Sequence, residues 1–424
     1  MTNTFKELCP FSPKQRLYAE RAEKAWFNVA EGGKRSGKNI INIDIFCNEL
    51  ETHPNELHFI AGYTSGTAGA IIYKSDGLGI EHYFGGRCRA GKYEDKPCYY
   101  IETATGRKVL LRSGGKDVRS QDFIAGYTFG MAYITEANRC HPKFIDEVFS
   151  RTFSSKRRKV FHDINPKSPN HWYYKDMLEW YEQKKEADPD YGYNHMSFTM
   201  ADNLSMTDEQ IREVIESVPK GTAFYIRDIL GQRKQAEGLV YSKFNYDLHT
   251  VLAEPRAYSK YILSVDWGMR NKFAVILWGL FDNVWYAVRE YGYSGRIAGG
   301  AEDTKEVTEY VNDVVKFVNG LKIERLICDP SATPFITSAR KHFTVQKADN
   351  SVMEGIQDVI TAFHHGLIKI NRCCKELLQE IESYAFDDKK DGEDAVVKEN
   401  DHYMDSKRYF VRTTKIVAAF KAKK

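Results

Sequence analysis

Gly32-Gly33-Lys34-Arg35-Ser36-Gly37-Lys38-Asn39 is the stretch on which the fold of this chain turns. It fits the pattern G-x-x-x-x-G-K. A short apolar run, Ala25 to Ala30, precedes it, and an apolar-rich stretch of helical length, Ile40 to Leu50, follows. Glycines in such a loop let consecutive backbone N–H groups face phosphate oxygens. The helix N-terminus adds its positive dipole, and Lys38 adds a point charge for the β- and γ-phosphates. The position after Lys38 usually carries a hydroxyl that holds Mg²⁺; here it is Asn39, whose amide oxygen is a weaker match.

A phosphate loop needs an acid to orient the attacking water. Glu136, which follows the apolar run Met131 to Ile134 and Thr135, is the candidate. The usual strand ends in Asp-Glu, with the Asp in the Mg²⁺ shell and the Glu polarising water. Thr135 stands in the Asp position. Asn39 and Thr135 together leave the Mg²⁺ of a bound nucleotide with no carboxylate from these two positions, which predicts slow turnover or dependence on an activator. Gln15, in Phe11-Ser12-Pro13-Lys14-Gln15, carries one donor and one acceptor that suit an adenine edge. Asn165-Pro166 follows the run KVFHDI, where a polar side chain can sense the γ-phosphate; an ordinary Asn-Pro turn is the alternative.

Working outward, Lys14 to Ala25 is helix-like. Leu57 to Gly62, Met131 to Ile134 and Lys159 to Asp163 read as short buried strands, and Tyr99 to Arg112 as a hairpin turning at Thr105-Gly106. Strand–helix alternation of this kind predicts an α/β domain with a largely parallel sheet. Residues 173–220 are richer in charge and helix formers. Lys156 to Lys159, the densest basic run of the first half, reads as a solvated stretch before a strand, with contact to DNA as the alternative. From Tyr261 the pattern restarts as three β-rich runs, YILSVDWG, FAVILWGLF and VWYAVREYGY, which predict an antiparallel meander. Lys305 to Val318 reads as a helix and Arg325 to Cys328 as a further strand. The expected organisation is residues 1–200, 201–254 (a helical part and linker) and 255–424.

The chain has 424 residues, with 61 Lys+Arg against 58 Asp+Glu and a net charge of +3. That balance excludes bulk-charge binding of nucleic acid in the histone manner, though not a local basic track. A hydrophobic fraction of 42% excludes general disorder. The longest apolar run, Phe273 to Phe281, is far short of the ~20 residues that span a bilayer, so no membrane association is expected. No basic segment followed by an apolar one opens the chain, so no secretory signal is visible. The eight cysteines form no CxxC, and reduced thiols in a cytosolic protein are expected rather than a zinc site.

In the second half, Asp266 ends one predicted strand and Asp329 another, while Asp401-His402-Tyr403-Met404-Asp405 opens a predicted helix. Carboxylates from distant parts of the chain can converge on a pair of divalent ions, one side activating water and the other stabilising a leaving oxygen. Hard carboxylate ligands favour Mg²⁺ or Mn²⁺ over zinc. Following a β-meander, this set points to an RNase H-like nuclease core.

The two halves together resemble the large terminase subunit of tailed bacteriophages and prophages. The resemblance runs over nearly the whole chain, through FSPKQ, GGKRSGKN, ITEAN, Asn165-Pro166 with HWYY, LGQRKQAEGLVY, SVDWG, ICDPSA and NDHYMDSKRY. It implies a P-loop NTPase domain with a mainly parallel sheet and an RNase H-like nuclease domain with a mixed sheet. It further implies a motor that uses ATP and Mg²⁺ to drive double-stranded DNA into a procapsid, and a two-ion Mg²⁺ or Mn²⁺ endonuclease that cuts concatemers. Portal protein and a small terminase subunit would be partners, with a ring formed on the portal, in the cytoplasm of a bacterial host.

By the same resemblance, Gly32 to Asn39 and Gln15 would bind nucleotide and Glu136 would be the ATPase acid. Asn165 would belong to the coupling motif, and Lys34 or Arg35 would serve as the charge-stabilising finger. Asp266, Asp329 and Asp405 would hold the nuclease metals with His402 beside them; Asp401 is an alternative third ligand. Tyr384 to Asp401 reads as an exposed charged hairpin or a disordered loop. Two other functions compete: a P-loop DNA-dependent ATPase or helicase with an inactive RNase H-like domain, and an assembly scaffold with a degenerate ATPase.

Overall fold

The computed structural model describes residues 10–268, 272–294, 305–387, 390 and 394–422. The chain divides into two compact units, one spanning Met1–Glu216 and Lys220–Gln235, the other Ser217–Pro219 and Ala236–Lys424.

The first unit is built on eight strands: β1 (Phe27–Gly32), β2 (Leu57–Gly62), β3 (Cys88–Tyr93), β4 (Lys96–Thr103), β5 (Gly106–Gly114), β6 (Met131–Ile134), β7 (Lys159–Ile164) and β8 (Tyr193–Phe198). Their order is β3-β4-β5-β2-β6-β7-β1-β8. The pairs from β5 to β8 are parallel, and only the β3-β4-β5 edge is antiparallel. Parallel strands are covered on both faces, so they carry near-continuous apolar runs. Every residue of β1, β6 and β7 is buried. Phe27, Val29, Ile134 and Val160 pack into one core, while Ala30, Tyr133 and Phe161 pack into another. The helix Pro13–Lys24 starts as its sequence dictates, with Pro at the first turn and a capping box between Ser12 and Gln15.

Two features of this unit depart from the sequence reading. The helix-rich stretch 173–220 is interrupted by β8, which pairs with β1 and extends the parallel sheet. Its run YNHMSF is polar enough to hide among helix formers. In the basic run Lys156–Lys159, Lys156 is exposed but the other three are engaged: Arg158 stacks over Trp26 at 3.7 Å, Arg157 donates to the Glu49 carbonyl, and Lys159 is buried on the carbonyls of Ala22 and Glu23. These cations close the ends of neighbouring helices.

A buried charge network holds the segment before Gln235 to the sheet. Glu31 at the end of β1 takes a forked ion pair from Arg233, 2.7 Å at its closest, and a contact from His195 at 3.0 Å. Burial alone would raise the Glu31 pKa, but His195 and Arg233 outweigh it and bring it down to about 2.

The second unit has seven strands: β9 (Thr250–Val251), β10 (Lys260–Asp266), β11 (Phe273–Phe281), β12 (Val284–Tyr293), β13 (Arg325–Cys328), β14 (Val345–Lys347) and β15 (Ile368–Asn371). They run in the order β14-β13-β10-β11-β12-β15-β9. β10, β11 and β12 form the predicted antiparallel meander, and the remaining pairs are parallel. The helix His402–Thr414 lies on this sheet. Phe410 stacks on Trp278 at 4.1 Å, and Ser406 meets Ser264, which also accepts the Trp278 indole N–H. The architecture is therefore α/β, a P-loop NTPase domain with a mainly parallel sheet followed by an RNase H-like domain with a mixed sheet. Part of the charged Tyr384–Asp401 stretch lies outside the described residues; its base is held by a bridge between Phe386 and Val396. Among the described residues, seven cysteines are free and no helix is long and apolar enough to cross a membrane.

Two outcomes are expected. Trp278→Ala removes a fully buried ring and lowers stability by about 3–5 kcal/mol, read by urea denaturation. Glu31→Gln strips the counter-charge from Arg233 and His195 and lowers stability by about 2–3 kcal/mol at neutral pH. Because the folded-state pKa of Glu31 is depressed, its contribution is present above about 4.5 and is lost as pH falls towards about 2. The gap between wild type and variant in acid-titrated melts should close over that range.

Candidate functional site

The C-terminal ends of β1, β6 and β7 lie together at one edge of the parallel sheet, where open α/β sheets bind ligands. Ile164 pairs with Glu31 and Ile134 with His162, so Gly32, Thr135, Glu136 and Asn165 arrive at one level. The loop from Gly33 to Gly37 joins β1 to the helix Lys38–Thr52. Gly37 caps that helix in the left-handed region at φ 78°. Gly33 passes so close to Asp228 that a Cβ would sit 2.1 Å from the Asp228 carbonyl oxygen. Lys34 pairs with the Asp228 carboxylate at 3.0 Å, and Arg35 is exposed with its carbonyl accepting from Asn203.

Lys38 is 6% exposed; its ammonium donates to Asn165 Oδ1 at 2.9 Å and to the Gly33 carbonyl at 3.2 Å. Burial pushes its pKa down, while the charges of Asp163 and Glu136 pull the other way. Asn165 is held from behind by Asn138, which donates to its carbonyl at 2.7 Å. Glu136 sits at φ 50°, a left-handed conformation uncommon outside glycine and frequent at working sites. Its carboxylate receives Arg139 at 3.0 Å. Ser36 Oγ is buried with no hydrogen-bond partner among the described residues, an orphan that a phosphate oxygen could satisfy. The loop, Gln15, Glu136 and Asn165 line a pocket of about 480 Å³, which fits a nucleoside triphosphate.

Two expectations need amendment here. Gln15 reaches the pocket, yet both its amide atoms are engaged: Oε1 accepts from the Ser12 N–H and Nε2 donates to the Gly37 carbonyl. It braces the loop with one donor and one acceptor, and keeps a second N–H and a second lone pair for a ligand. The pocket also contains a carboxylate that the sequence reading passed over. Asp163, inside β7, lines it and accepts hydrogen bonds from Thr135 and from the Glu136 N–H. Its signal was an acid near the end of the buried strand KVFHDI, two residues before Asn165.

In the second unit, β10 and β13 run parallel with Val265 beside Cys328, so the next residues, Asp266 and Asp329, leave the sheet side by side. The helix His402–Thr414 adds its first turn. His402 Nδ1 lies 3.0 Å from Asp266 Oδ2, and Asp266 in turn raises the His402 pKa. Burial raises the Asp266 pKa, with His402 opposing. Asp329 accepts from the Tyr409 hydroxyl at 3.1 Å, from Asn350 and from the Ser331 N–H. Those bonds outweigh its burial and hold its carboxyl below the usual range. Arg408, 2% exposed, grips Asp405 at 2.8 Å. Lys398 lies 3.1 Å from Asp401 and 3.4 Å from Asp405. The segment DH-x-x-D-x-x-RY thus supplies both acids and their supports.

Glu380 was not foreseen. It accepts the Tyr403 and Met404 N–H groups and so caps the helix that carries His402 and Asp405. Burial pushes its pKa up to about 7. No local motif announces it, because its role exists only once two helices meet.

As the side chains stand, no three His, Cys, Asp or Glu residues among those described are close enough to hold a metal ion. The donor set still fits one in kind. Asp266 and Asp329 end neighbouring strands, and the helix turn that carries His402 and Asp405 stands against Asp266 through His402. Three hard oxygen donors so arranged suit Mg²⁺ or Mn²⁺.

No curated protein sequence matches the chain. A family model described as phage terminase large subunit matches residues 94–229. Among solved structures, the large terminase of a thermophilic bacteriophage, in complex with ADP, is 31% identical, with a TM-score of 0.85 over 95% of this chain and 99% of that one. A second crystal form of that protein is 32% identical with the same score and coverage. Its complex with ATP-gamma-S is 31% identical, with a TM-score of 0.83 and the same coverage. With identity at this level over almost the full length of both chains, and with the phosphate loop and the acid set in place, this chain belongs to the phage terminase large-subunit family.

Proposed function

We propose that this chain is an ATP-driven motor that moves double-stranded DNA into a procapsid and cuts concatemeric DNA with a metal-dependent endonuclease. The observation that carries this reading is that one chain holds both a pocket of nucleotide size around Lys38 and Glu136 and, at neighbouring strand ends, Asp266 and Asp329 with the His402–Asp405 turn against them. The ADP and ATP-gamma-S complexes of the thermophilic-phage relative support ATP as the ligand of the first site.

In the first unit Lys38 would bind phosphate, and Glu136 would take the proton of the attacking water or orient it. The Lys38–Asn165 contact gives coupling a physical basis. An arriving γ-phosphate competes with Asn165 for the Lys38 ammonium, so Asn165 is released when nucleotide binds and recaptured when phosphate leaves. Exposed Arg35 is the better finger, since Lys34 already pairs with Asp228. In the second unit Asp266, Asp329 and Asp405 would hold Mg²⁺ or Mn²⁺, which supplies charge to activate water and to stabilise the leaving oxygen. His402 orients Asp266, Arg408 orients Asp405, and Tyr409 orients Asp329. Lys398 stands on Asp405 and must yield when a divalent ion arrives. The chain would work in the host cytoplasm with portal protein and a small terminase subunit. The division into residues 1–200, 201–254 and 255–424 remains part of this proposal.

Glu136→Gln should keep ATP binding and lose hydrolysis by about 100-fold or more, measured by phosphate release with DNA present. Turnover unchanged in this variant would remove the motor assignment. Plasmid cleavage in Mn²⁺ should vanish in Asp266→Ala and on chelation in the wild type. Cutting that persists in either case would leave an ATPase with an inactive nuclease fold, the competing reading.

A further inference from the structure

The strand before Glu136 ends in Thr135, so the acid that customarily stands one residue ahead of the catalytic glutamate is missing from its own strand. We infer that Asp163, on the neighbouring strand β7, is the second acid of this ATP site and serves there as a positioning residue for Glu136 and for the divalent ion of the nucleotide. The inference rests on reading the pocket as an ATP site and names which carboxylate completes it.

The register places Thr135 beside Asp163, because Ile134 pairs with His162. Asp163 Oδ1 accepts from the Thr135 hydroxyl at 3.1 Å and from the Glu136 N–H at 3.2 Å, while Oδ2 accepts from the Tyr133 hydroxyl at 2.8 Å. The carboxylate therefore grips the backbone of the residue that must orient water, at the point where φ is 50°. It is 1% exposed and lines the nucleotide pocket together with Lys38.

A merely structural acceptor for two hydroxyls and an amide needs no negative charge, and an isolated buried carboxylate is costly. Burial raises the Asp163 pKa, and the charge of Lys38, ahead of the Glu136 N–H and the Tyr133 and Thr135 hydroxyls, opposes that rise. Lys38 balances the carboxylate before nucleotide arrives; once the phosphates take Lys38, a hard anionic oxygen remains where the water shell of a Mg²⁺ ion can use it. Asn39 provides no such charge, and Thr135 acts by holding Asp163.

The test uses the full chain and a fluorescent non-hydrolysable ATP analogue, its affinity measured in EDTA and in Mg²⁺, with thermal melts as a fold control. In wild type Mg²⁺ should tighten binding by at least about tenfold. Asp163→Asn should lose that gain, read as the ratio of its own affinities in Mg²⁺ and in EDTA. Thr135→Asp/Asp163→Asn, which moves the acid to the strand end, should recover it. An unchanged Mg²⁺ gain in folded Asp163→Asn overturns the inference. If Asp163→Asn does not fold, Asp163→Ser is measured in its place: loss of the Mg²⁺ gain in that folded variant supports the inference, and an unchanged gain overturns it. A wild-type chain that binds no analogue would instead sink the ATP-site reading itself.

Discussion

Hydrogen-bonded register between parallel strands is the constraint on which both sites depend. A parallel ladder holds strands level with one another, and so delivers the residues just beyond their ends to one place. In the first unit this brings Asn165 onto Lys38 across a separation of 127 residues and Thr135 onto Asp163 across 28. In the second, the pairing of Val265 with Cys328 sets Asp266 beside Asp329. A slip of one residue would turn every side chain to the other face, so the apolar residues that fix register also fix the chemistry.

Charge is then arranged so that the buried ions of both sites are partnered. Lys38 faces Asn165 and the charge of Asp163, Glu31 takes Arg233 and His195, and Asp405 takes Arg408. Such pairs are weak sources of stability because desolvation offsets most of the attraction. Their value is geometric: each partner holds a side chain in one orientation until a ligand of the same charge replaces it. Phosphate oxygens can replace Asn165 at Lys38, and a metal cation can replace Lys398 at Asp405.

The elements closest to the phosphate loop were legible because their signals are local. The loop glycines, the apolar runs of β2 and β6 and the hairpin at Thr105-Gly106 each depend on residues within a few positions. β8 was not legible, since its polar run becomes a strand only when β1 offers an edge to pair with. Arg158 and Lys159 read as solvated because nothing nearby in sequence says that Trp26 and the Ala22 carbonyl will stand next to them. Asp163 and Glu380 were missed for the same reason, as each acts on a group from another element.

Taken by itself, the sequence determined the fold class, and it singled out the loop around Lys38, Glu136 and the three acids of the second half as candidates. Residue type and short spacing suffice there, because glycine conformation, apolar periodicity and the hardness of carboxylate oxygen are properties of single residues and their neighbours. Tertiary structure alone decided that Gln15 braces the loop, that Asp163 stands behind Thr135 and Glu136, that Arg408 and Tyr409 hold Asp405 and Asp329, and that Glu380 caps the helix of His402. Those contacts join residues far apart in the chain, and only the packing of strands and helices sets which donor meets which acceptor.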